Sequence, residues 1–488
     1  MKKRIIYFIS LLLILTILAP MLFCVPASAA YNEELDFRAE VVYMENLDQN
    51  TVIFNKNSDK QVPMASLTKI TTCMVVLDNC DNLDAKVKVK QESLDMLIGT
   101  NSSTAGTKAG EILTVRELLN LMMVRSANEA TIILADYVAG SVDAFVEMMN
   151  KFASGLGCKN THYVNTHGLD ADNHYTTAED LAIIIKYALQ NDTFKEIVGQ
   201  SEYVQAATNK RKETKYNSTN NLLISNSIYY YEPCKGIKTG STTNAGYCLA
   251  SYASKNGYTY LCIIMNAPQE PLHPEDETDT FKYNWSFKET KMAYEWVFSN
   301  IKLKTIASKT DIVDVVDVSL AKDTDHVRLV PAHDVSALMP ATVDSSSILI
   351  EPVPGSISDD IRAPIKAGDI LGQAEIKYAG NTIATVDLVA GDDVSRSAIA
   401  TIGFGLKHFL TSKFMRIVYI LIAVCILAVI GLRYYNKNIK RKKMKVMHGG
   451  QIKTHTAYSK NYNGNKPKRR DKTNKKSNKR AGKTIITL

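Results

Sequence analysis

Three short strings carry residues whose types and spacing suit acyl transfer: Ser66-Leu67-Thr68-Lys69, Ser126-Ala127-Asn128 and Lys238-Thr239-Gly240. A serine hydroxyl is a poor nucleophile at neutral pH unless a neighbouring base takes its proton. On a helix Lys69 lies one turn beyond Ser66, so its amine can reach the hydroxyl. A buried lysine beside another cation loses proton affinity, which would let neutral Lys69 act as that base. Near a helix N-terminus, the Ser66 backbone N–H would face a developing oxyanion. Ser126 and Asn128, short and polar, could shuttle a proton and hold a substrate amide. Lys238 and Thr239 would offer a cation and a hydroxyl to a substrate carboxylate. Gly240 lacks a side chain, so an extended peptide could lie close against its strand.

Each string alone has an ordinary explanation: an exposed helix start, loop and capping residues, a solvated strand end. Together they gain force from the elements that must position them. Pro63 stands ahead of the apolar run Ile70, Cys73, Met74 and Leu77, a good helix start. Thr114-Val115-Arg116-Glu117 is a capping box opening a helix that ends near Arg125, and a second helix runs from about Glu129 to Gly140. Ser126-Ala127-Asn128 therefore falls at an interhelical joint. Another helix opens at Thr177 and runs to about Leu189. Two strands are expected over 40–54 around Asp48-Gln49-Asn50, and three more over 236–242, 247–254 and 258–265. A last helix over 287–298 would cover that sheet. Strand, helices, then strands predict an α+β domain, a helical region packed on an antiparallel sheet.

The rest of the 488 residues divides by composition. Residues 302–393 alternate Val, Ile and Leu with polar residues between Pro and Gly turns, the pattern of a small all-β domain. Residues 394–413, with Ile399, Ile402, Phe404, Leu406 and Phe409, read as a linker with amphipathic character. Met1-Lys2-Lys3-Arg4, an apolar run to Val25 and Ala27-Ser28-Ala29 have the order of a secretory signal peptide, placed at 1–30. Residues 417–432 are apolar and uncharged; sixteen residues rise about 24 Å, so the span is set at 414–435 to cross about 30 Å of hydrocarbon. The resulting domain plan is 31–300, 301–393, the linker, the transmembrane helix, and a basic tail over 436–488.

Net charge is +8, but residues 433–488 hold nineteen Lys and Arg against Asp471 alone. Setting aside that +18 and the three basic residues at the N-terminus leaves −7 on the body, a mildly acidic balance in which nothing points to nucleic acid. The tail is read as a cytoplasmic topology determinant by the positive-inside rule, touching anionic lipid and not nucleic acid. The predicted location is therefore a single-pass cell-membrane protein with its catalytic domain outside. Six cysteines fall in the exported part, too few for a disulfide scaffold. Cys73 and Cys80 sit on one helix and cannot bridge, whereas Cys248 and Cys262, facing each other across a predicted hairpin, are the best-placed pair. His167 and His174 have no third ligand at metal spacing and read as structural; no metal and no cofactor are expected.

The three strings and their surroundings resemble the low-molecular-mass penicillin-binding proteins that act as serine-type D-alanyl-D-alanine carboxypeptidases. Pro63 to Ile70, Ser126 to Ala130, Asn165 to Leu169, His174 to Ala182, Gly236 to Thr242 and Ala363 to Gly368 all look like segments of that family, over roughly residues 35–392. The resemblance implies a β-lactamase/transpeptidase-like domain and removal of the terminal D-alanine from peptidoglycan pentapeptide stems. Ser66 would form the acyl-enzyme, with Lys69 as base. Ser126 and Asn128 would assist proton transfer and hold substrate, and Lys238 and Thr239 would bind the carboxylate. Backbone N–H groups of Ser66 and Ser241 would form the oxyanion hole. Partners would be the stem peptide, β-lactams as inhibitors, and the cytoplasmic membrane. A penicillin-binding sensor, an inactive wall-binding protein and a β-lactamase are the competing readings. Two features depart from the family pattern. No arginine occurs between Arg211 and Arg328, leaving Lys282 or Lys288 as substitutes near the substrate carboxylate. A membrane-spanning helix replaces the usual surface-lying anchor.

Overall fold

The computed structural model describes residues 35–100, 102–273 and 281–447, with side chains described as far as residue 440. The signal peptide expected over 1–30 and most of the basic tail lie outside the described residues.

The first domain is built on a five-stranded antiparallel sheet. Its strands are β1 (Val41–Asn46), β2 (Thr51–Lys56), β3 (Cys234–Thr242), β4 (Gly246–Lys255) and β5 (Tyr258–Ala267), in the order β2-β1-β5-β4-β3. The first and last strands of the chain segment thus pair at the sheet centre, β1 against β5. Side chains alternate between two apolar layers, as the period of a strand requires. Val41, Tyr43, Leu261, Ile263 and Met265 enter the helical layer. Val42, Met44, Tyr260, Cys262 and Ile264 enter the opposite layer.

The helical layer contains α1 (Thr68–Asn79), α2 (Val115–Val124), α3 (Asn128–Ala139), α4 (Val142–Gly155) and α5 (Ala178–Ala188). The expected capping box is present: Thr114 Oγ1 accepts from Glu117 N at 3.1 Å, and Glu117 Oε2 accepts from Thr114 N at 2.7 Å. Gly140, at φ +78°, closes α3 in the left-handed conformation that glycine adopts without strain. Across the sheet, α6 (Trp285–Asn300) packs Ala293, Tyr294, Val297 and Phe298 onto the second layer. The α+β architecture read from the sequence is therefore present, with the covering helix longer than expected by two residues at each end.

The Cys248–Cys262 pairing is overturned. Both thiols are free, and they lie on opposite faces of the sheet, Cys248 in the helical layer and Cys262 under α6. The register sets this: Ser251 is the residue opposite Cys262, three positions from Cys248, and an odd offset reverses the face.

The second domain holds β6 (Ile301–Ala307), β7 (Asp314–Ser319), β8 (His326–Pro331), β9 (Val335–Pro340), β10 (Ile348–Pro352), β11 (Ile361–Arg362), β12 (Ile370–Tyr378) and β13 (Asn381–Ala390). Strands β6 and β9 pair alone, and the others form a six-stranded sheet in the order β10-β12-β13-β8-β7-β11. Leu329, Ala374, Ile376, Val386 and Leu388 are central to its core. The segment read as a linker contains a helix, α7 (Ala398–Thr411), and the apolar segment lies in α8 (Lys413–Met447). Residues Lys413–Lys440 of α8 form the one helix among the described residues that is long and apolar enough to cross a membrane.

Candidate active site

The three strings converge on one cleft of about 810 Å³. Ser66, Ser126, Asn128, Thr239, Gly240 and Ser241 all line it. Ser66 sits on a 3-10 turn, Ala65–Leu67, that runs directly into α1. Ala65 has φ +47°, a left-handed conformation costly for a residue with a Cβ. It is held by a chain of hydrogen bonds. Val164 N donates to His174 Nδ1 at 3.1 Å, which leaves the ring proton on Nε2. His174 Nε2 then donates to Thr68 Oγ1 at 2.8 Å, and Thr68 Oγ1 donates to the carbonyl of Ala65 at 2.8 Å. The arrangement needs a neutral ring, and burial pulls His174 down to about 4.

Lys69 is fully buried on α1, and its Nζ has three neighbours. They are Ser66 Oγ at 2.8 Å, Asn128 Oδ1 at 2.6 Å and the carbonyl of His167 at 2.7 Å. Burial, and next the charge of Lys238, hold the Lys69 amine well below its ordinary proton affinity. A neutral amine has two hydrogens and one lone pair. Two carbonyl oxygens can only accept, so they take both hydrogens and leave the lone pair facing the Ser66 hydroxyl. That is the geometry a general base requires.

The loop delivering the His167 carbonyl is tied down on two sides. Thr72 Oγ1 donates to the carbonyl of Thr166 at 2.7 Å, and the hydroxyls of Thr166 and Thr131 meet at 2.8 Å. The same loop presses on the nucleophile turn at Gly168. The His167 ring lines the cleft, and burial and Lys69 lower it to about 3, so it is neutral at physiological pH.

Ser126 lies between α2 and α3 with φ +65°, a second strained residue in the site. Its Oγ accepts from Lys238 Nζ at 3.0 Å. Lys238 does not point openly into the cleft. It is buried, donates also to the carbonyl of Thr239 at 2.9 Å, and burial lowers it to about 7. Thr239 Oγ1 donates to Thr219 Oγ1 at 2.7 Å, and both hydroxyls line the cleft. Strand β3 is an edge strand, so its free side is open to an extended peptide.

Gly240 has a different neighbour from the one expected. A Cβ there would meet Ser66 N at 2.9 Å and the Ala65 Cβ at 3.0 Å, so the missing side chain makes room for the nucleophile turn itself. This close approach sets the Ser66 backbone beside Gly240 and Ser241.

Several lining residues escaped the sequence reading: Thr219, Asn221, Asn284 and Ser286. They stand outside the three strings, and only the fold brings them near Ser66. Neither Lys282 nor Lys288 is among the described residues lining the cleft; the Lys288 ammonium lies 4.5 Å from the Tyr283 ring centroid and 4.6 Å from that of Trp285. Among the described residues no cluster suits a metal ion.

Ser66 on a short turn, a buried lysine one turn along and a second buried lysine behind a loop serine form an arrangement suited to serine acyl transfer on a transpeptidase-like fold. Comparison with known proteins agrees. A family model described as D-alanyl-D-alanine carboxypeptidase matches residues 28–269, and one described as the C-terminal domain of penicillin-binding protein 5 matches residues 302–396. A D-alanyl-D-alanine carboxypeptidase of Streptomyces sp. strain K15 is 32% identical over 255 residues, 50% of this chain and 86% of that protein. The D-alanyl-D-alanine carboxypeptidase DacF of Bacillus subtilis is 28% identical over 369 residues, 75% of this chain and 89% of that protein. The solved structure of DacD from Francisella tularensis shares the fold, with a TM-score of 0.56 at 23% identity, covering 76% of this chain and 96% of that one. The chain belongs to the low-molecular-mass penicillin-binding proteins and is a serine-type D-alanyl-D-alanine carboxypeptidase.

Proposed function

We propose that Ser66 attacks the carbonyl between the two terminal D-alanines of a peptidoglycan pentapeptide stem. The hydroxyl proton passes to Lys69 as the Ser66 Oγ–carbon bond forms. The peptide C–N bond then breaks, and the departing D-alanine amine takes up a proton through the Ser126 hydroxyl. Water releases the shortened stem from Ser66 in a second step, and β-lactams acylate the same oxygen. The observation that carries this reading is the Lys69 amine, whose two carbonyl partners turn its lone pair toward Ser66. Asn128 would hold a substrate amide, Thr239 and the charge of Lys238 the terminal carboxylate, and the Ser66 and Ser241 N–H groups the oxyanion.

The domain plan supports a single-pass membrane protein with the catalytic domain outside and the basic tail inside. On α7, Ile399, Ile402, Leu406, Phe409 and Leu410 are exposed on one face at helical spacing, which suits the outer membrane surface. The test is D-alanine release from a peptide ending in D-Ala-D-Ala by the full chain in detergent. Ser66→Ala should abolish both release and covalent penicillin labelling. Release that survives Ser66→Ala would sink the assignment.

A further inference from the structure

Glu129 follows Asn128 in the first turn of α3, and its side chain is buried. Its Oε1 accepts from Ala105 N at 2.7 Å and from Thr107 N at 3.4 Å. These amides end the segment 102–107, which forms one wall of the cleft through Ser102 and Ser103. The wall is tied to α3 a second time, since Asn128 N donates to the carbonyl of Ser103 at 2.9 Å. From outside, Arg211 Nη1 at 2.7 Å and Tyr216 OH at 2.8 Å donate to the carbonyl of Ala105, while Arg211 Nε donates to Glu111 Oε1 at 2.7 Å. Ala105 is therefore gripped at both its N–H and its carbonyl, and Glu129 is the grip on the catalytic side.

A neutral side chain could accept from Ala105 N equally well, so the wall does not explain why the residue is ionisable. Among the described residues, Glu129 Oε2 is buried without a partner, as are Thr107 Oγ1 and Arg211 Nη2. A buried carboxylate oxygen with no donor is costly, and the charge must act elsewhere to repay it. It reaches Lys69. The charged and titratable groups acting there are Lys238 from β3, His167 and His174 from the 162–175 loop, and Glu129 from α3. Lys238 opposes a proton on Lys69, the two histidines are neutral, and Glu129 favours it. Burial and Lys238 both lower the proton affinity of Lys69 and the Glu129 charge opposes them; a base works best when its affinity lies near the working pH.

We propose that Glu129 is a positioning residue of the acyl-transfer site, binding the cleft wall to the helix that carries Asn128 and presenting its negative charge to Lys69. It rests on the reading of Lys69 as base. The test is the rate of acylation by a fluorescent penicillin, measured from pH 5 to pH 9 for the full chain and for Glu129→Gln. Glutamine keeps an oxygen for Ala105 N and removes the charge, so Lys69 releases its proton at lower pH. The acid limb of the variant should move down, and the ratio of variant to parent rates should climb as pH falls, tenfold for each unit the limb moves. A ratio that stays constant across the range, the signature of a merely structural contact, would overturn the proposal while leaving Lys69 as base. A parent rate with no acid limb would overturn both. Should Gln not be tolerated, Asp and Asn at the same position, equal in size and different in charge, carry the same comparison.

Discussion

A Cβ placed on Gly168 would lie 1.9 Å from the carbonyl oxygen of Ala65. The loop that offers its His167 carbonyl to Lys69 thus touches the turn that carries Ser66, so one loop braces both side chains. Gly168 has φ +91°, where a side chain is strained even without a clash. Gly168→Ala should cost on the order of 3 kcal/mol and slow acylation by about 100-fold, the effect of a displacement near 1 Å at a reacting centre. Thermal unfolding and penicillin acylation rates check both. A variant that acylates at the parental rate would show that the loop does not set the Ser66 position.

Lys238 offers a second prediction through its depressed proton affinity. Burial lowers it from the ordinary lysine value to about 7, so between about pH 7 and pH 10 the unfolded chain binds a proton there that the folded chain does not. The destabilisation from burying this amine is therefore full below pH 7 and is relieved as pH rises toward 10. Relative to Lys238→Met, which has no such group, the parent should gain stability across that window by up to about 1.4 kcal/mol per pH unit. Taking the difference cancels the cysteines and tyrosines that titrate in the same range. Denaturant midpoints at pH 7, 8.5 and 10 measure it; a constant difference would mean Lys238 keeps its charge in the fold.

The strands and helices were legible because each obeys a local rule. Alternation of apolar and polar residues marked the second domain as β, and Thr114-x-x-Glu117 marked the start of α2. The approach of Lys69 to Ser66 was legible for the same reason, since both lie within one helical turn, and their side chains meet at 2.8 Å. What the sequence hid depends on contacts between distant segments. Lys69 meets Asn128 and His167, 59 and 98 residues away. The space that Gly240 leaves for Ser66, and the burial of Lys238 behind Ser126, are likewise invisible in the local sequence. The cysteine pairing failed because the hairpin register sets Ser251 opposite Cys262, which leaves Cys248 an odd number of positions away and on the other face.

His174 looked like a structural loop residue, and its two ring nitrogens make it specific. Nδ1 accepts from Val164 N, while Nε2 supports the Thr68–Ala65 contact under the nucleophile. Since burial lowers it from 6.5 to about 4, the unfolded chain takes up the proton first as pH falls, and stability is lost between pH 6.5 and pH 4. His174→Phe should be less stable at pH 7 by about 1–3 kcal/mol, for the loss of a buried hydrogen-bond partner. Its acid sensitivity across that window should also be shallower than the parent's by one histidine's share. Parallel curves for parent and variant from pH 7 to pH 4 would remove His174 as the titrating group.

The free thiols give the last prediction. Cys73, Cys158, Cys234, Cys248 and Cys262 are buried, and burial pushes their thiols up, Cys234 to about 11 and Cys158, Cys248 and Cys262 to about 12. The thiolate is the reactive form, so these groups should resist alkylation in the folded protein. Cys80, half-exposed at the end of α1, should react first. Because Cys248 and Cys262 occupy opposite faces of the sheet, no bridge can join them without breaking the register of β4 on β5. All six thiols between residues 73 and 262 should therefore take up reagent after unfolding without any reductant. The unfolding midpoint should be the same with and without reductant. Uptake that rises only after reduction would show a disulfide in this domain, and with it a different strand register from the one that places Cys248 under the cleft.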